Sequence, residues 1–130
     1  MKHMTRYLTV AVLFAIFATS NIMAHCQIPC GIFDDQMRIH MMEEHVTTIE
    51  KSMKKIEAGE NVNQTARWVM NKEKHADELG EIITYYFMAQ RIKPGADNYD
   101  ANLKTLHELL IYSMKAKQST DLAHIEKLNE

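Results

Sequence analysis

The chain has 130 residues, 46% hydrophobic and 25% charged, with 15 basic and 17 acidic side chains and a formal net charge of −2. That length allows one domain, the composition is globular rather than disordered, and the charge argues against a nucleic-acid binder held by phosphate contacts. Four Gly and two Pro favour helices over an all-β fold, and two Cys cannot staple a disulfide-dense mini-protein.

Residues 1–24 read as a signal peptide or propeptide that is removed. Lys2 and Arg6 form a short basic start, Tyr7 to Ala18 is an uncharged run, and Ser20, Asn21 and Ala24 give a small, polar end. The apolar run is shorter than the about 20 residues a spanning helix needs, so export, to the periplasm or the outside, is expected rather than a membrane anchor. Two cuts fit a processing peptidase. One falls after Ser20 and leaves Asn21 first; the other falls after Ala24 and leaves His25 first. The cut after Ala24 leaves residues 25–130, the expected domain, and by removing Lys2 and Arg6 makes the chain more acidic, with 13 basic against 17 acidic side chains.

Both cysteines of the chain fall in the next segment, His25-Cys26-Gln27-Ile28-Pro29-Cys30-Gly31-Ile32-Phe33. A small disulfide loop is one reading, although so short a loop stabilises little. A thioredoxin-type pair is one residue shorter and sits in a βαβ setting. The other reading depends on the cut before His25. It frees an amine next to an imidazole, followed by the amide and thiolate of Cys26, which close small chelate rings on one ion. Cys30 can add a second thiolate through a turn fixed by Pro29 and relaxed by Gly31. The resulting N2S2 donor set suits nickel(II) or copper(II) better than tetrahedral zinc, leaves the His25 imidazole as an axial ligand, and favours redox chemistry. The tight turn favours a cis Ile28–Pro29 bond.

Helical spacing begins at Asp34. Ile39, Met42, Val46, Ile49, Met53 and Ile56 form a seam, with Asp34 and Asp35 at the start, Lys51, Lys54 and Lys55 near the end, and Ala58-Gly59 as the stop. A second helix starts with Asn61 or Asn63 as cap, carries Ala66, Val69, Ala76, Leu79, Ile83, Tyr86 and Phe87 inward, and ends before Lys93-Pro94-Gly95. A third runs from Tyr99 to Lys117 with Leu103, Leu106, Leu110 and Met114 on one face. Ser119 or Thr120 caps a short fourth bearing Leu122, Ile125 and Leu128. The expected fold is an all-α, antiparallel up-down four-helix bundle with an N-terminal metal-binding hook. Met37, Met41, Met42 and Met53 keep helical spacing and read as core filling rather than a copper box.

Other chemistries lack their signatures. No Glu-x-x-His pair supports an interior di-iron site, and His-Glu-x-x-His, Gly-rich phosphate loops and Gly-x-Ser-x-Gly are missing. His40, His45, His75, His107 and His124 are scattered singly and read as surface or hydrogen-bonded histidines.

At His25, Cys26, Pro29, Cys30 and Gly31 the sequence resembles the nickel superoxide dismutases, whose mature chains open with His-Cys-x-x-Pro-Cys-Gly-x-Tyr before a four-helix bundle. The resemblance covers nearly all of residues 25–130. It implies one nickel ion per subunit, held by the amine and imidazole of His25, the amide nitrogen and sulfur of Cys26, and the sulfur of Cys30. The imidazole would bind in the oxidised state and swing away in the reduced one. The implied reaction takes two superoxide ions and two protons to dioxygen and hydrogen peroxide through a Ni(II)/Ni(III) cycle, in a homohexamer. Backbone N–H groups of Gln27 and Cys30 would face the anion pocket. Phe33 departs from the family's Tyr: it keeps a ring over the pocket and lacks the hydroxyl donor. The implied supports of the axial imidazole, an acidic residue on the first helix and a basic one on the second, fall near His40, Glu43 or Glu44 and near His75. The competing reading of the same hook is an exported protein that sequesters nickel or copper without turnover.

Overall fold

The computed structural model describes His3, Met4, Arg6, Tyr7 and residues 27–59 and 61–130. Among the described residues the chain is helical and contains no strand. In chain order α1 spans Asp35–Glu57, α2 spans Val62–Glu81 and continues as a π-helical segment over Ile82–Arg91, α3 spans Tyr99–Gln118, and α4 spans Ala123–Asn129. None of the described helices is long and apolar enough to cross a membrane.

Local chemistry sets the boundaries. The Asp34 carboxylate accepts from Met37 N–H at 2.9 Å and caps α1. At the other end Ala58 N–H donates to the Lys54 carbonyl at 3.0 Å, and Gly59 turns the chain at φ 66°, a left-handed backbone that suits glycine. Asn61, rather than Asn63, caps α2, accepting from Gln64 N–H at 3.1 Å. Ile92 is extended, and Lys93-Pro94-Gly95 then ends the second helix where the sequence places its break. The short last helix departs from expectation. Neither Ser119 nor Thr120 occupies its cap; Ser119 Oγ accepts from Asp121 N–H, and Asp121 accepts from Ala123 N–H at 3.0 Å. The turn is thus built from two overlapping side-chain bonds.

Ile49, Met53, Leu79 and Ile83 are fully buried at the centre, joined by Val46, Ala76, Leu106, Ala116, Ile125 and Leu128. Each large apolar side chain removed from water contributes roughly 1.5–3 kcal/mol before the entropy of ordering is subtracted. Polar links fix how the helices meet. Asp35 pairs with Arg91, His45 with His75, and Asn71 Nδ2 donates to Ser52 Oγ at 3.0 Å. Between α2 and α3, Ser113 Oγ donates to the Ala76 carbonyl, and the buried Lys72 ammonium donates to the Ala116 carbonyl, both at 2.8 Å.

Several expected core positions lie outside. Ile39, Val69, Met114 and Leu122 are exposed, as is Met37 of the methionine stripe, while Met53 is in the core and Met42 packs against its edge. Full burial on α1 begins only at Val46. Tyr86 and Arg91 cover its first turn on one side by bonding Asp35, and Ile39 lies outside that contact.

Candidate metal centre

Residues 27–33 lie against the junction of α1 with the π-helical segment. His25 and Cys26 lie outside the described residues. Cys30 is exposed with a free thiol. It sits in a turn in which Ile28–Pro29 is cis, as the sequence suggested, Ile32 N–H donates to the Pro29 carbonyl at 3.4 Å, and Gly31 takes φ 80°. A glycine there lets the chain reverse without a Cβ penalty. Gln90 Nε2 reaches the Ile28 carbonyl at 3.4 Å while donating to the Tyr85 carbonyl at 2.7 Å. A cleft of about 170 Å³ lined by Ile28, Pro29, Arg38, Glu81, Ile82, Tyr85 and Tyr86 runs beside the turn.

Phe33 anchors the other side of the turn. Its ring meets Tyr86 edge-on at 5.8 Å, and the Arg91 guanidinium lies over it at 4.4 Å. Arg91 in turn grips Asp35 with two bonds of 2.7 Å, and Tyr86 Oη donates to the same carboxylate at 2.7 Å. The Arg91 bonds, helped by Tyr86, hold the Asp35 carboxyl below the usual carboxylate range, and burial followed by the Asp35 bond pushes the Tyr86 phenol up. A depressed carboxylate stabilises the fold above its unfolded pKa, near 3.8, and that contribution fades as pH falls through the lower folded value. Urea unfolding midpoints measured at descending pH should therefore drop more below pH 3.8 in the native chain than in Asp35→Asn. Parallel decline of the two would remove the clasp from the account.

This clasp escaped the sequence reading, which assigned Asp35 to the helix dipole and gave Arg91 no role. Its only sequence signal is an acid at the start of one long helix and an arginine at the end of the next. His40 and His75, among the expected supports of the His25 imidazole, have partners of their own, and His25 itself lies outside the described residues. His40 is exposed and bonds Gln36 at 3.0 Å, whereas His75 meets His45 Nδ1-to-Nδ1 at 2.8 Å. His45 and His75 are thus hydrogen-bonded histidines, one of the two roles the sequence allowed them, and they are bonded to each other. Burial first, then the neighbouring His75, lowers the His45 pKa and favours the neutral ring.

The donor chemistry fits a thiolate-bound ion, because the one hook cysteine that is described is unbridged and reachable. Among the described residues, fold and turn together define a small helical protein with an exposed, free cysteine thiol in the turn beside the bundle. The model of the nickel-containing superoxide dismutase family matches residues 20–130. The chain belongs to that family: it is a nickel-dependent superoxide dismutase, an oxidoreductase with nickel as cofactor and superoxide as substrate. Searches of curated proteins and of solved structures return no match to the chain.

Proposed function

We propose that the chain is exported and cut after Ala24. The mature protein then holds one nickel ion per subunit in an N-terminal hook of His25, Cys26 and Cys30, on an antiparallel up-down bundle assembled as a homohexamer. The observation that carries this reading is the free, exposed Cys30 thiol in a turn pinned to the bundle by Phe33, at the second cysteine of a His-Cys-x-x-Pro-Cys-Gly run. Opposite directions for the first two helices are supported by their pairing order, since Asp35, His45 and Ser52 meet Arg91, His75 and Asn71 in turn.

Bound nickel supplies a one-electron Ni(II)/Ni(III) couple. Two superoxide ions react with two protons, one losing an electron to give dioxygen and one gaining it to give hydrogen peroxide. The chain's own part is to ligate, admit and screen. The Cys26 and Cys30 thiolates and the Cys26 amide nitrogen are strong donors that favour the higher oxidation state, and the His25 amine and imidazole complete the set. Backbone N–H groups of Gln27 and Cys30 face the entering anion. The Phe33 ring borders the pocket without a hydroxyl, so it donates no proton and proton delivery falls to water or backbone groups.

Intact mass, N-terminal sequencing and metal analysis of the exported protein, followed by a superoxide-decay assay, test this reading. The expected product starts at His25, carries one nickel per subunit and accelerates superoxide decay. A chain starting at Asn21 removes the amine ligand and overturns the proposed hook.

A further inference from the structure

We propose that His45, His75 and Glu78 form a second metal site, separate from the hook, that takes a zinc-class divalent ion and clamps α1 to α2. His75 and Glu78 stand three apart on one face of α2, and His45 faces them from α1. One donor atom from each converges: the two Nδ1 atoms are 2.8 Å apart, and Glu78 Oε2 lies 3.6 Å from His45 Nδ1 and 3.7 Å from His75 Nδ1. The point equidistant from the three atoms is about 2.0 Å from each, the bond length of zinc to imidazole nitrogen or carboxylate oxygen.

The chemistry of the pair favours an ion. Two Nδ1 atoms at that separation cannot both carry protons, so one donates to the lone pair of the other, and an ion that displaces this proton would meet both nitrogens. The His45 side chain is 12% exposed, so an ion held there would be largely screened from solvent. Lys74 engages the other carboxylate oxygen, Glu78 Oε1, at 3.6 Å and leaves Oε2 turned toward the imidazoles. Two nitrogens and one oxygen suit zinc, with the remaining position left for water, whereas the hook offers thiolates. The ion would tie the two helices between the Asp35–Arg91 clasp and the Asn71–Ser52 bond. Binding to the folded chain alone stabilises it by mass action.

The test uses nickel-loaded protein titrated with zinc chloride, read by native mass spectrometry and thermal unfolding. One zinc per subunit should add with nickel retained, and the unfolding midpoint should rise. His45→Gln and Glu78→Gln should each abolish the added zinc and the rise, with helical circular dichroism confirming that they fold. The Cys26→Ser/Cys30→Ser double variant, which lacks the hook thiolates, should still take up one zinc. No zinc uptake by nickel-loaded protein, uptake that survives His45→Gln, or uptake that disappears with the hook cysteines would each overturn the second site.

Discussion

Cys30→Ser should yield a folded protein without nickel and without measurable acceleration of superoxide decay. The expected loss is complete rather than graded. A serine hydroxyl stays protonated near neutral pH and is a harder, weaker donor than a thiolate, so the proposed donor set would lose one of its two sulfurs. Cys30 is exposed, and the turn around it is held by Phe33, Gly31 and the Gln90 bond rather than by the thiol. Far-UV circular dichroism and the thermal midpoint should therefore stay close to those of the metal-free native chain. Cys26→Ser should behave alike. Stoichiometric nickel in either variant would show that the ion is held elsewhere.

The largest stability effect is expected at Lys72→Met. Lys72 is 4% exposed, and its ammonium closes the C-terminal end of α3 by donating to the Ala116 and Lys117 carbonyls while pairing with Glu73 at 2.9 Å. A positive charge at a helix C-terminus also meets the negative end of the dipole. Methionine keeps most of the apolar stem and removes the donors, leaving buried carbonyls without their partner. The expected cost is about 2–3 kcal/mol. For a domain near this size that lowers the thermal midpoint by on the order of 10 °C or more. Urea unfolding of native and variant chains would measure it directly. A difference within about 0.5 kcal/mol, the range of ordinary surface changes, would mean that water replaces the ammonium without cost.

The order of the helices was legible because their ends are written locally. Asp34, Asn61 and Lys93-Pro94-Gly95 act on backbone groups within a few residues, and such signals need no tertiary partner. The His-Cys-x-x-Pro-Cys-Gly motif could be read for the same reason, since its residues are neighbours in the chain. Burial at helix ends was not. Ile39 and Met114 keep apolar spacing yet are exposed, because which side of a helix meets a neighbour is set by tertiary packing that periodicity does not encode. The His45–His75 pair joins residues 30 positions apart and appears only once the register of α1 on α2 is set.

The winding of Ile82–Arg91 also carries no signal in an apolar pattern read at 3.6 residues per turn. Its Ile92 N–H reaches back five residues to the Phe87 carbonyl at 3.1 Å, and Gln90 reaches the Tyr85 carbonyl with its side chain. A wide turn of this kind absorbs an extra residue without breaking the helix. Removing one residue would advance everything beyond it by roughly 100° around the axis. Arg91 would then swing off Asp35 and Phe33, and Gln90 off the Ile28 carbonyl. Segment length, more than composition, thus sets the phase at which the N-terminal turn is pinned, and relatives that gained or lost a residue there must tether it by other side chains.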